Sequence, residues 1–347
     1  MKHILAVLPT IRNLNECVEW AEVFKKFKIT FIVLQDGEKE NITIPDVFRD
    51  SCEDVILLRW KDIDSILKED KWIISRFDSA IRCAGWLWAK VNGIEFDYVF
   101  TFDDDTKPFN SEHIQMHLNN LDLKVITSMY NTIPKFSFND DFHPRGILGL
   151  RKEVMLSHGL WLTVPDFDAE TQIKFQGKYH WKLPEFIHEI PRGVLFPMCG
   201  MNILFKSDLA PAMYFGLMGR NPDKESWGIG RWDDMFAGWV SKLWIDHIDA
   251  AVITGLPYCN HIRLSDQTSN LKKEALWKDD ALCEFLLKLN QWNIENRIEG
   301  FNINEFFLNL FKLAKNHLDK KNSIEPSINH LLKNLKASVI YSKYFYN

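Results

Sequence analysis

The 347 residues are 46% apolar and 26% charged, the balance of a globular protein with a sizeable core and not of a disordered chain. Acidic residues outnumber basic ones, 47 to 42, and the formal net charge of −5 excludes a dedicated nucleic-acid surface, which would leave a basic excess. The six cysteines form no C-x-x-C pair, so neither a zinc knuckle nor a dense disulfide framework fits, and a reducing, cytoplasmic setting is expected.

The first apolar run, Ile4–Leu8, is too brief before Pro9 for a signal peptide and reads as a buried strand. Helical spacing at Val18, Ala21, Val23 and Phe24 predicts a helix over Asn15–Phe27, and Phe31–Leu34 a second buried strand that ends at Asp36-Gly37. Strand, helix and strand at this spacing predict a parallel pair with a right-handed crossover. A strand at Val55–Leu58, a helix at Ser79–Val91 and a strand at Tyr98–Phe102 follow. The alternation predicts an open α/β sheet with helices on both faces, whose ligands gather beyond the carboxyl ends of the strands. Thr10–Arg12, Asp36 and Asp103–Asp105 all fall there.

The middle of the chain, roughly 140–265, is rich in Gly, Pro, His and Trp, with short strands expected at Val194–Phe196 and Ala251–Thr254 and a helix over Asp233–Lys242. The longest mostly apolar stretch, Val194–Phe205, carries Pro, Gly and Asn and cannot span a bilayer, so a soluble protein is expected, with peripheral membrane association left open. The chain divides into a domain of residues 1–270 and a helical extension, 271–347, marked by the spacing of Asp280–Gln291 and Ile303–Leu318. The Leu-rich, aromatic tail suits a homo- or hetero-oligomer, or folding back on its own domain.

Three consecutive carboxylates at the end of an apolar strand are costly unless something positive neutralises them. Side chains at i and i+2 of a strand point the same way, so Asp103 and Asp105 can face one ion while Asp104 points elsewhere. Hard oxygen ligands suit Mg²⁺ or Mn²⁺, which would also hold a diphosphate and neutralise charge on a departing nucleoside diphosphate. No G-x-G-x-x-G follows the first strand, which disfavours a dinucleotide fold and a flavin-dependent reaction.

A series of strings runs through the chain: PTIRNL (9–14), LQDG (34–37), DSAIRCAG (78–85), FTFDDD (100–105), SHGLWLTVPDFDAETQ (157–172), LFPMCGMN (195–202), PAMYFGLMG (211–219), IGRWDDMFAGW (229–239), TGLPY (254–258) and NLKKE (270–274). In this order they resemble the reversibly glycosylated polypeptide family, also called the UDP-arabinopyranose mutases, over roughly residues 5–275. The resemblance implies a glycosyltransferase-A-like open mixed sheet that binds a UDP-sugar with Mn²⁺ or Mg²⁺. The implied activity is interconversion of UDP-L-arabinopyranose and UDP-L-arabinofuranose. Sugar transfer, self-glycosylation or service as a non-catalytic partner are the alternatives.

For the nucleotide-sugar it implies Asp36, as acceptor of the base N–H, with Gly37 beside it; Pro9, Thr10 and Arg12 on the first strand-end loop; and Arg82, Asp103, Asp104 and His158. The metal ligands would be Asp103, Asp105 and His261, with His158 as second candidate. One of Asp233 and Asp234 would manage protons on the sugar hydroxyls, although aspartates at a helix start are also good caps. Arg145 and Arg151 lie about where the family's modified arginine falls, a phosphate-binding role being the more economical. Trp161, Trp227, Trp232 and Trp239 could stack on sugar faces, although large aromatics in apolar motifs are usually core.

Overall fold

A computed structural model describes residues 2–37, 42–128, 149–164, 166–175, 185–262, 266–275, 277–321 and 323–346. The apolar runs become strands β1 (His3–Thr10), β2 (Lys28–Gln35), β3 (Asp54–Leu58) and β4 (Tyr98–Phe102). Strands β5 (Thr106–Lys107), β6 (Lys124–Ser128), β7 (Gly149–Thr163), β8 (Ile187–Glu189), β9 (Asn202–Lys206) and β10 (Ala251–His261) complete the described set. The sheet order is β3-β2-β1-β4-β9-β7-β10-β5, with β6 beside β7 and β8 beside β10. The first four strands are parallel, β9 runs antiparallel to both β4 and β7, and β7 and β10 are parallel again. This is the open mixed sheet expected from the sequence.

Both faces of the sheet are covered because β1 and β2 are apolar at nearly every position. Leu5, Val7, Ile32 and Leu34 join one core, and Ile4, Ala6, Leu8, Phe31 and Val33 the other, as the two-residue side-chain period of a strand requires. Helices α1 (Glu19–Phe24), α2 (Asp46–Arg49) and α5 (His113–Asp122) supply Trp20, Phe24, Phe48 and Ile114 to the second core. Helices α3 (Trp60–Leu67), α4 (Cys83–Val91) and α7 (Asp233–His247) supply Ile63, Trp86 and Phe236 to the first. The approach of α4 to β1 needs Gly85, where an added Cβ would lie 2.6 Å from Val7 Cγ1. A short α6 (Ala169–Phe175) and α8 (Gln267–Glu274) pack against each other beside the sheet.

The tail forms α9 (Asp280–Ile294), α10 (Ile303–Leu318) and α11 (Pro326–Lys343). Its Leu282, Phe306, Leu331 and Tyr341 belong to the same core as Leu5 and Val7, and the Tyr341 hydroxyl donates to the Cys83 carbonyl at 3.1 Å. The expected strand at Val194–Phe196 is not one. That segment is irregular and crosses α7 at Gly238, where a Cβ would lie 2.2 Å from the Phe196 carbonyl, so its apolar side chains serve helix packing and not the sheet. The two long helices expected near the start each divide: a 3-10 turn at Leu14–Glu16 precedes α1, and another at Ser79–Arg82 precedes α4. Among the described residues, no helix is long and apolar enough to cross a membrane.

Candidate active site

Strands β1, β2 and β4 end side by side, and the Asp36 amide donates to the Thr10 carbonyl at 2.9 Å. Beyond these ends lies a pocket of about 280 Å³, lined by Pro9, Thr10, Arg12, Asp36 and the three aspartates 103–105. It runs into a cleft of about 1040 Å³ that reaches His158, Asp166, Arg231, Asp233, Asp234 and His261. Phe77, Asp78, Ser79, Asp103 and Asp105 line both.

The aspartates form a turn between β4 and β5, where both the amide and the hydroxyl of Thr106 donate to the Asp103 carbonyl. The turn separates the three side chains. Asp104 is buried against the Arg12 guanidinium, whose Nε donates to it at 3.0 Å, and accepts from the Thr10 hydroxyl at 2.5 Å. Thr10 and Arg12 therefore hold Asp104 in place, and Arg12 also reaches within 3.8 Å of Asp105. Asp103 and Asp105 face the cleft.

Arg82, expected among the nucleotide-sugar residues, points inward and is 1% exposed. Its guanidinium donates to Asp103 Oδ1 at 2.6 Å, the Gly200 carbonyl at 2.5 Å, Thr101 Oγ1 at 3.1 Å and the Ser79 carbonyl at 3.1 Å. Such a fork fixes a carboxylate and three neighbouring segments at once. Burial works to lower the Arg82 pKa, but Asp103 and Asp233 outweigh it and raise it.

Asp233 and Asp234 occupy the first turn of α7, where the helix dipole favours negative charge. Asp233 accepts from the Ser79 hydroxyl; Asp234 accepts from the Gly200 amide at 3.0 Å and the Met235 amide at 2.9 Å. Burial raises the pKa of Asp233, with Arg82 opposing. Burial raises that of Asp234 further, with Asp233 and Asp166 adding to it. The pair titrates as a unit, and Asp234 is the member driven toward the protonated form.

His261 donates through Nδ1 to the Val164 carbonyl at 2.8 Å, which leaves Nε2 with its lone pair, 3.9 Å from Asp105 Oδ1. A backbone carbonyl on one ring nitrogen is how metal-ligating histidines are oriented. Two carboxylates and an imidazole nitrogen form a donor set that fits Mn²⁺ or Mg²⁺. Burial, followed by the neighbouring Asp103, lifts Asp105 to about 6, the cost of holding these carboxylates together. His158 differs: its Nε2 accepts from the Cys199 amide at 3.0 Å and its Nδ1 donates to Thr254 Oγ1 at 2.9 Å. Burial lowers it to about 3, so it lines the cleft as a neutral ring with both nitrogens engaged. Among the described residues, the group whose ligand atoms do lie within 4.8 Å of one another is a different one, Asp166, Cys199 and Asp234. There the buried thiol, its pKa raised well above the ordinary value, donates to Asp166, and Arg231 already neutralises Asp166 at 2.9 Å.

Asp36 is buried, accepting from Trp60 Nε1 at 2.8 Å and the Asp78 amide at 2.6 Å. The Phe77 amide also donates to Asp36, so one of its four lone-pair sites remains. Gly37 follows it beside Ile11. Trp161 borders the cleft; Trp232 is fully buried, and Trp227 and Trp239 pack on the core. Arg145 lies outside the described residues, and of Arg151 the backbone alone is described, paired in β7 with Ile126 of β6. Phe77, Ser79, Asp166 and Arg231 also line the cleft but were not singled out from the sequence. Ser79, Asp166 and Arg231 sit inside motif strings that signalled importance without a role, whereas Phe77 precedes one and carried no signal.

The mixed sheet, covered on both faces and carrying acidic residues at its strand ends, defines an α/β protein with its candidate site at the carboxyl ends of the strands. The family model described as reversibly glycosylated polypeptide matches residues 2–339. UDP-arabinopyranose mutase 1 of Arabidopsis thaliana is 35% identical over 342 residues, 94% of this chain and 88% of its own. UDP-arabinopyranose mutase 1 of Oryza sativa subsp. japonica is 38% identical over 295 residues, 80% and 76% of the two chains. The chain belongs to the reversibly glycosylated polypeptide family, among enzymes. Among solved structures, glucosyl-3-phosphoglycerate synthase from Mycobacterium tuberculosis, in complex with Mn²⁺, UDP and phosphoglyceric acid, is similar over 85% of this chain and 78% of its own. At 12% identity and a TM-score of 0.39 that likeness carries no argument.

Proposed function

We propose that the protein is a UDP-sugar mutase that interconverts UDP-L-arabinopyranose and UDP-L-arabinofuranose, with a divalent cation and without flavin. One observation carries the reading: a single buried arginine, Arg82, bonds Asp103 and the carbonyls of Ser79 and Gly200, and those two residues in turn bond Asp233 and Asp234 across one cleft, in a chain whose relatives are named UDP-arabinopyranose mutases. Asp103, Asp105 and His261 Nε2 would hold the Mn²⁺ or Mg²⁺, which when bound supplies positive charge to the departing nucleoside diphosphate. Asp36 accepts the base N–H on a remaining lone pair, within the pocket shaped by Pro9, Thr10 and Gly37. Arg12 keeps Asp104 neutralised and so shapes the floor under the diphosphate.

The reaction breaks the anomeric C–O bond, whose electron pair leaves with UDP. The 4-hydroxyl oxygen then bonds to the anomeric carbon, and the bond from that carbon to the pyranose ring oxygen breaks with its electron pair kept by that oxygen. UDP bonds again to the anomeric carbon; the reverse reaction exchanges the two oxygens. A proton must leave the hydroxyl that closes the ring and reach the oxygen that is freed. Asp234, with its more strongly raised pKa, is suited to hold and return that proton, while Asp233, raised by burial with Arg82 opposing, accepts from the Ser79 hydroxyl. His158 is assigned a supporting place under the sugar end of the cleft.

The test is incubation of purified protein with UDP-L-arabinopyranose and Mn²⁺, followed by chromatography of the nucleotide sugars and intact-mass measurement of the protein. A furanose peak that disappears with EDTA is the expected result. Free UDP or an added sugar mass without that peak would replace the mutase by a transferase, and neither would leave a binding subunit.

A further inference from the structure

Phe77 stands where the small pocket opens into the cleft and lines both. Its side chain fills no core: it is 41% exposed. Its backbone has φ 61°, in the left-handed region that a bulky side chain seldom occupies. A turn alone would be served by Gly or Asn at such a position. The neighbours hold the conformation. Arg76 and Arg220 exchange backbone hydrogen bonds at 2.8 and 3.0 Å, and the Asp78 amide is fixed to Asp36 at 2.6 Å. Residues on either side are thus pinned, and the ring is turned outward over the pocket that Asp36 borders.

Two further groups set the ring's orientation. Trp60 meets it edge-on, with centroids 4.9 Å apart and planes at 73°, and the same indole donates to Asp36. The Arg220 guanidinium lies 5.3 Å from the ring centre. The result is an exposed aromatic beside a buried carboxylate. A flat heterocycle needs both a ring to stack on and an acceptor for an N–H in its plane.

We propose that Phe77 is a stacking platform for the nucleobase, braced by Trp60 and Arg220, and that it joins Asp36 in recognising the base. The proposal rests on the nucleotide reading above and adds a residue to it. A stacked base accounts for an aromatic that is held half exposed, at a conformation that costs the chain energy.

The experiment is calorimetric titration of the wild type, Phe77→Gly and Phe77→Trp with UDP and, separately, with inorganic pyrophosphate, all in Mn²⁺. Glycine suits this backbone position, so removal of the ring is separated from damage to the fold. Phe77→Gly should weaken UDP about 5- to 100-fold, the range for loss of one stacked base, and leave pyrophosphate unchanged. Phe77→Trp should restore UDP binding. Unchanged UDP affinity in Phe77→Gly overturns the proposal, as does an equal loss of pyrophosphate. A wild type that binds pyrophosphate but not UDP overturns instead the nucleotide reading on which it rests.

Discussion

Asp233 and Asp234 are neighbours in sequence with unlike surroundings. Asp233 faces Arg82 and the Ser79 hydroxyl, whereas Asp234 faces two further carboxylates, Asp233 and Asp166, and accepts two backbone amides. Burial comes first among the causes that raise Asp234, and the like charges add to it. The sign for activity follows. A carboxyl with a raised pKa keeps its proton to a higher pH, so a step that uses Asp234 as acid is intact below that pKa and fades as pH rises through it. Asp234→Asn should lower kcat about 10²- to 10⁴-fold and remove the alkaline decline. UDP affinity should hold, since the base pocket lies at the other end. Initial rates against pH for wild type and variant, with UDP titrations alongside, check both halves.

At the scale of elements, α8 lines the cleft with α6 packed against it, and a buried charge network links the two. Glu274, fully buried at the end of α8, receives the Arg231 Nε at 2.9 Å, Lys278 at 3.2 Å and the Ala169 amide at 3.0 Å. Lys278 also reaches Asp168 at 3.1 Å. Removing one charge from a buried network leaves its partners uncompensated, at about 3–5 kcal/mol. Glu274→Gln should therefore lower the urea midpoint and speed proteolysis within α6, the element Glu274 anchors. None of this was legible beforehand. Apolar runs and helical spacing disclosed β1, β2, β4 and the tail helices, because those signals are local. The family match runs to residue 339, past 275, where the motif strings stop, and the tail's apolar residues join the same core as β1. Val194–Phe196 misled because an apolar triplet looks the same whether it crosses a helix or joins a sheet. The three aspartates were visible as ligand chemistry. Their placement was not, since the inward reach of Arg82 that holds Asp103 depends on Thr101 and Gly200, distant from Arg82 in sequence.

The whole molecule buries histidines in several places, and this shapes its response to acid. Burial lowers His117 and His330 to about 4 and His158 to about 3, and drives His113 well below its ordinary value. In the unfolded chain these rings titrate near 6.5. Between that value and the depressed one, the unfolded chain binds a proton that the folded chain refuses, so stability is lost as pH falls through the window. Asp78 and Asp234, raised by burial, act oppositely, because the folded state is the one that binds their protons. The net slope is a contest between the two sets, and a single histidine is best isolated by difference. His330 suits this: its Nε2–H donates to the Leu217 carbonyl at 2.7 Å, joining α11 to the core, and glutamine can replace that donor without a titrating proton. Between pH 6.5 and 4 the wild type should lose about 3 kcal/mol more than His330→Gln, measured by urea denaturation at each pH. Equal losses in the two proteins would mean that His330 is as easily protonated folded as unfolded, and that α11 does not seal this ring from water.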